Sequence, residues 1–274
     1  MAFTFCSLAS GSSGNCQYLA TEETQILIDV GLSGKKVEGY MDEIGKNIQK
    51  VNAILVTHEH SDHIKGIGIL SRRFNIPIYA NNNTWKEFHD KIGKIHPENI
   101  RYFKTGTEFF IEDIKIKSYS ISHDAVEPVA FSFFKNDAKV SIATDLGHVP
   151  KEIKEEIKNS DLLMLEANHD VEMLKMGSYP WYLKKRVMSD RGHISNEIAG
   201  EVIAEMMTEE NPVSQVLLGH LSKENNFPEL SYETVKNVLT EKNIKIGKDL
   251  KVDLTYRDQV SKVYYVKKSH VEGK

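Results

Sequence analysis

The sequence predicts a layered α/β protein. Short apolar runs alternate with helical periodicities in both halves of the 274 residues, the pattern of sheets covered by helices. No stretch of disordered composition divides the chain, so residues 1–274 read as a single domain. With 40% apolar and 27% charged residues, the chain is ample for a sizeable core.

The elements follow in order. "AFTFCSLA" and "NCQYLAT" read as strands around the turn "SGSSG". "TQILIDVG" is an apolar strand ending on Asp29, and "GKKVEGYMDEIG" a helix. "VNAILVT" is a buried strand, after which Ile64, Ile67, Leu70 and Phe74 recur at helical spacing. "NIPIYAN" is a short strand, followed by a helix near "TWKEFHDKIG". The middle is strand-rich, with "TEFFIEDIKIKSYSIS", "VAFSFFKN" and "AKVSIATDLG" separated by turn signals. "PKEIKEEIKNS" is a helix opened by Pro150, and "DLLMLEAN" a buried strand. Residues 169–193 read as irregular. "SNEIAGEVIAEMMTEEN" is a helix with Ser195 as its cap, and "SQVLLGHLS" a strand ending on His220. A helix near "YETVKNVLTEKN" and a strand pair across "KVDLTYRDQVSKVYYVKK" close the chain.

Composition excludes several classes. The net charge of −4 leaves no globally basic surface, so any nucleic-acid contact needs a local patch. Cys6 and Cys16 lack the spacing of a disulfide framework or zinc ribbon. The first residues lack a signal peptide's basic start and apolar run, and no segment approaches a membrane span. The expected location is the cytoplasm, with no membrane partner.

The stretch "VTHEHSDHIKG" crowds His58, His60, Asp62 and His63 just past a buried strand. In extended chain, residues two apart share a face, so His58 and His60 can address one ion. Asp62 and His63 fall where the chain turns into a helix and can reach a second point. A lone Asp62 would be read as a helix cap; three histidines beside it make a metal site the better account. Two ions about 3.5–4 Å apart can clamp the attacking and leaving oxygens of a phosphoryl displacement. Asp29, His123, Asp145 and His220 each lie at or just past a strand end, where α/β proteins build sites.

Taken together, this order of residues resembles the metallo-β-lactamase superfamily over nearly the whole chain. The resemblance implies a four-layer αββα sandwich. It implies two divalent metal ions (zinc, manganese or iron), one held by His58, His60 and His123 and one by Asp62, His63 and His220. Asp145 would bridge them, Asp29 would steady the ligands from behind, and water activated to hydroxide would be the nucleophile. Asp rather than Cys at position 145 points away from true lactamases. "SLASGSSGN", "SHDAVEP", "EANHDVEMLKMGSYPW" and "SDRGHISNE" resemble the bacterial YycJ (WalJ) family, which implies a 5′→3′ DNA exonuclease.

Asp62 and His193 are the candidate catalytic side chains. By its resemblance to the extra histidine of tRNase Z enzymes, His193 could protonate the leaving oxygen, or it could be a plain helix-entry residue. His169 could also face the cleft. Lys184, Lys185, Arg186 and Arg191, near Tyr179, Trp181 and Tyr182, form a candidate DNA-binding patch. The loop "SGSSGN" matches no phosphate-binding motif and reads as a tight turn bordering the site. A homodimer is compatible with the sequence. The expected function is a two-metal DNA phosphodiesterase. The alternatives are a hydrolase of a small phosphodiester or thioester, and a regulatory protein that binds metal without catalysis.

Overall fold

The computed structural model describes residues 2–268. Its first half runs β1 (Phe3–Ala9), β2 (Cys16–Ala20), β3 (Gln25–Ile28), α1 (Gly34–Glu43), β4 (Ala53–Leu55), α2 (Ser61–Ile64), α3 (Ile67–Phe74), β5 (Ile78–Ala80), α4 (Asn82–Phe88) and β6 (Ile100–Tyr102). The second half runs β7 (Glu108–Ile111), β8 (Ile114–Ser120), β9 (Val129–Lys135), β10 (Ala138–Ala143), α5 (Lys151–Ile157), β11 (Leu162–Glu166), α6 (Val171–Met176), α7 (Trp181–Val187), α8 (Asn196–Met206), β12 (Gln215–Gly219), α9 (Pro228–Glu241), β13 (Lys251–Leu254) and β14 (Tyr264–Val266).

Two mixed sheets form, ordered β14-β1-β2-β3-β4-β5-β6 and β13-β12-β11-β10-β9-β8-β7. Side chains alternate across each strand, and that alternation builds the layers. Ile26 and Ile28 of β3 and Leu55 of β4 point inward, where they meet Phe131, Phe133, Ile142 and Met164 of the second sheet. Leu27 and Ile54 point outward, under Val37, Met41, Leu70 and Phe88 of α1, α3 and α4. Leu163, Leu165 and Leu218 point outward on the second sheet, under Ile153, Val202, Ile203 and Leu239 of α5, α8 and α9. The result is the αββα sandwich.

The topology also decides where the loops gather. β3 through β6 are mutually parallel, as are β10 through β13. β8 is antiparallel to β9, which is antiparallel to β10, so β8 points the same way as β10. The ends of β3 and β4 therefore lie together, as do those of β8, β10, β11 and β12.

Four expectations need correction. Residues 169–193 are not irregular but carry α6 and α7. Asp170 caps α6 by accepting from Met173 N, yet each helix buries one side chain, Leu174 or Val187, too few for a periodicity to read. The closing strands do not pair with each other. β13 joins β12 in one sheet and β14 joins β1 in the other, because residues 255–263 cross between sheets, held by Ser10 N to Tyr256 O and Ser261 N to Ser7 O. The edge strand β6 was not foreseen; two of its three residues are exposed. α9 begins at Pro228, a residue pre-set for a helix's first turn. Among the described residues, no helix is long and apolar enough to cross a membrane.

Candidate metal centre

The gathered strand ends bring His58, His60, Asp62, His63, His123, Asp145 and His220 together. Groups of them, including His58–His60–His123, His58–His63–Asp145 and Asp62–His63–His220, place ligand atoms within 4.8 Å of one another. His58 Nε2 lies 3.0 Å from His60 Nδ1. His63 Nε2 lies 3.6 Å from both Asp62 Oδ2 and Asp145 Oδ2. Asp145 Oδ1 lies 3.4 Å from His220 Nε2 and 3.8 Å from His123 Nε2. Four donors about 2.1 Å from one ion sit about 3.4 Å apart, so these spacings suit a metal cluster.

The outer nitrogens fix the tautomers. Thr57 Oγ1 donates to Asp29 Oδ2 at 2.8 Å and therefore accepts from His58 Nδ1 at 2.9 Å. His63 Nδ1 donates to the same Asp29 oxygen at 2.8 Å, and His123 Nδ1 to Gly192 O at 3.3 Å. His220 Nδ1 donates to Glu166 Oε1 at 2.8 Å. Each ring, held at Nδ1, presents Nε2 inward, the arrangement metal-binding histidines need. His220 Nε2 is buried and finds no hydrogen-bond partner among the described residues. An orphaned imidazole nitrogen is costly, and a cation beside it removes that cost. The donor set fits divalent metal.

Electrostatics agree. Asp145 resists the usual upward push of burial; His220, His63, His123 and His58 hold its carboxyl well below the ordinary range. Burial opposes charge on His63, but Asp29, Asp145 and Asp62 more than reverse it, to about 10. His220 likewise overcomes burial, through Asp145 and Glu166, to about 9. His58, by burial and by its neighbour His63, is driven well down.

The backbone is bent to deliver these groups. Asp29, Asp145 and His220 each stand one or two residues past a strand with φ of 57°, 60° and 56°, the left-handed region that non-glycine residues rarely adopt. Gly31 lets the loop after β3 touch the metal motif: a Cβ there would lie 1.6 Å from Asp62 O. Asn15 N donates to that same carbonyl at 2.8 Å, and Asn15 Nδ2 approaches His63 Nε2 at 3.0 Å. The "SGSSGN" loop is thus a turn between β1 and β2 that borders the site.

His193 lies beside this cluster, its Nδ1 donating to Glu166 Oε1 at 2.8 Å. Glu166 was missed. It is fully buried, receives both His193 and His220 on Oε1, and accepts from Leu146 N and Ile194 N on Oε2 at 2.8 and 3.3 Å. Despite burial, His193 and His220 draw its carboxyl down to about 2. A carboxylate ending the apolar run "DLLMLE" was the available signal. His169 joins no ligand group and is buried beside Ser195. The basic patch is mostly occupied. Arg186 pairs with Asp124, a neighbour of His60 and His123 also missed. Arg191 donates to His123 O at 3.2 Å, Lys184 to Lys175 O at 2.7 Å, and Lys185 lies 5.4 Å over the Trp181 ring.

Comparison with known proteins places this geometry. Residues 24–221 match the β-lactamase superfamily domain. The chain is 42% identical over 266 residues to exodeoxyribonuclease YycJ of Bacillus anthracis, covering 97% of this chain and 100% of that one. It is 43% identical over 254 residues to exodeoxyribonuclease WalJ of Streptococcus pneumoniae, covering 92% and 94%. Among solved structures, the metallo-β-lactamase fold protein YhfI from Bacillus subtilis superposes with a TM-score of 0.72 at 16% identity, covering 96% and 100%. With these full-length matches, the chain belongs to the β-lactamase superfamily and, within it, to the family of the YycJ and WalJ exodeoxyribonucleases.

Proposed function

We propose that this chain is a metal-dependent phosphodiesterase that shortens DNA from its 5′ end. The observation that carries the reading is Asp145. Its Oδ1 lies 3.8 Å from His123 Nε2, a member of the first expected ligand set, while Oδ1 and Oδ2 lie 3.4 and 3.6 Å from His220 and His63 Nε2, members of the second, the position of an anion shared by two cations. The full-length relatives named exodeoxyribonuclease support the DNA substrate.

His58, His60 and His123 would hold one ion, Asp62, His63 and His220 the second, and Asp145 both; zinc, manganese and iron suit such donors. Bound there, the ions supply an acidified water and neutralise charge on the phosphate. The protein's own groups do the rest. Asp29 and Glu166 hold the Nδ1 protons of His63 and His220, so those rings keep their orientation through turnover. Asp62, with a side chain 23% exposed, offers Oδ2 as acceptor for a proton of the attacking water. His193, held at Nδ1 by Glu166, presents Nε2 to the leaving oxygen as a proton donor. Arg186 lines the cleft beside His193, and with Lys184, Lys185 and Arg191 it would meet approaching phosphates.

The test is digestion of end-labelled DNA with added Mn²⁺ or Zn²⁺, run beside Asp62→Ala. Metal-dependent shortening from the 5′ end, lost in the variant, is expected. Turnover of bis(p-nitrophenyl) phosphate with DNA left intact would instead identify a small-diester hydrolase.

A further inference from the structure

A cleft opens beside His193, walled by Ser12, Asn168, Tyr179, Leu183 and Ser222. We infer that this cleft seats the nucleoside that leaves when the phosphodiester is cut, with Tyr179 as the wall on which its base stacks. The inference rests on the phosphodiesterase reading above.

Reaction chemistry fixes the side. The oxygen of water adds to phosphorus and gives up one proton to Asp62 and then to solvent. In the proposed cut the P–O3′ bond breaks, its electron pair stays on O3′, and O3′ takes a proton from His193 Nε2, which solvent then restores. The products are a free 3′-hydroxyl and a 5′-phosphate. The nucleoside bearing O3′ must therefore lie against His193, and His193 is itself part of this cleft's lining.

The lining suits that occupant. Tyr179 and Leu183 offer an aromatic and aliphatic face, Ser12, Ser222 and Asn168 offer two hydroxyls and an amide, and the Arg186–Asp124 ion pair completes the polar part of the lining. A flat apolar wall with a few polar groups is how proteins hold a base and sugar without reading sequence. The depression across the cluster, lined by Glu59, His60, Ser61 and Lys65 among others, has no Phe, Tyr or Trp in its lining among the described residues. Stacking is thus offered on the His193 side.

The wall is also rigid. Asp170 N donates to Asn225 O at 2.9 Å at the base of α6. Lys184 ties α7 to the end of α6, and Arg186 ties it to Asp124. Gly192 packs so tightly under α7 that a Cβ would lie 2.2 Å from the carbonyls of Arg186 and Val187. Tyr179 precedes Pro180, which restricts it to extended backbone. A preformed wall loses little entropy on binding.

The experiment uses the full chain loaded with Mn²⁺ and 3′-labelled single strands whose 5′-terminal nucleoside is either intact or abasic. The wild type should remove the abasic end about tenfold more slowly, the effect of one lost base-stacking contact. Tyr179→Ala should remove both ends at equal rates, and Tyr179→Phe should restore the ratio. A merely structural role for Tyr179 would slow both strands alike and leave the ratio intact, which overturns the inference. So does a wild type indifferent to the terminal base. As a readout independent of rate, a 5′-terminal 5-iodouracil on a phosphorothioate strand should photocrosslink to Tyr179. A crosslink mapped elsewhere counts against the assignment. If bis(p-nitrophenyl) phosphate is hydrolysed while the terminal base is ignored, only this inference falls. If neither DNA nor that diester is cut, the phosphodiesterase reading falls with it.

Discussion

Replacing Glu166 with glutamine removes one charge and keeps the shape, so its effect isolates what that carboxylate does. Four donors converge on it: His193 Nδ1 and His220 Nδ1 on Oε1, Leu146 N and Ile194 N on Oε2. A carboxylate accepts all four. A glutamine amide has one accepting oxygen and one NH₂, which would face two donors whichever way it is turned. Turned with its NH₂ to Leu146 N and Ile194 N, the amide leaves two buried donors unsatisfied at roughly 1–3 kcal/mol each. Turned the other way, it is accepted only if both histidines shift tautomer, so Glu166→Gln should destabilise by up to about 6 kcal/mol or rewire both rings. Against a typical stability of about 5–15 kcal/mol, urea melts will resolve that. The loss of charge also releases the His220 tautomer, and a lost partner behind a ligand typically costs about 10–100-fold in metal affinity. Chelator competition measures this on the folded variant. Wild-type stability together with wild-type metal affinity would falsify the hub role of Glu166.

Three further outcomes follow. His63 and His220, raised to about 10 and about 9, carry an extra proton below those values when metal-free. Metal must displace it from Nε2, so loading at pH 7.5 should release about two protons and affinity should fall with pH. Calorimetry in buffers of different ionisation heat counts them, and none released would refute the assignment. Burial pushes His169 down to about 4, so the unfolded chain takes that proton first, near pH 6.5. The stability contribution is whole above pH 6.5 and lost as pH falls towards 4, by about 3 kcal/mol at most. His169→Asn should flatten that limb in urea melts at pH 7 and 4.5; an unchanged limb would assign it to other groups. Gly31→Ala drives a methyl into Asp62 O and should weaken metal binding while leaving the distant sheet edges protected from hydrogen exchange. Normal metal affinity would mean that the loop yields.

The convergence around Asp145 was legible because each polar residue follows an apolar run, and polar groups at buried strand ends need a partner. Asp29, Asp145 and His220 each interrupt such a run in the sequence. Glu166 satisfies the same rule, but the histidine three residues later drew attention to the wrong side chain. The α6–α7 wall was hidden for a different reason: its helices are short and its anchors, Asn225 and Asp124, are remote in sequence. The destinations of β13 and β14 were equally unreadable, since a strand's alternation says which face is apolar and not which sheet receives it. In the candidate DNA-binding patch, Arg186 and Arg191 hold the loop of His123, a use that charge counting cannot see.

The left-handed backbone at Asp29, Asp145 and His220 has an evolutionary consequence. Each conformation costs roughly 1–2 kcal/mol for a residue with a Cβ, a load that glycine would relieve. A laboratory selection for heat tolerance alone should therefore drift these three positions towards glycine and erase the centre while the sandwich grows sturdier. Their persistence under such selection would mean that bound metal, rather than the bare chain, is what the cell keeps folded.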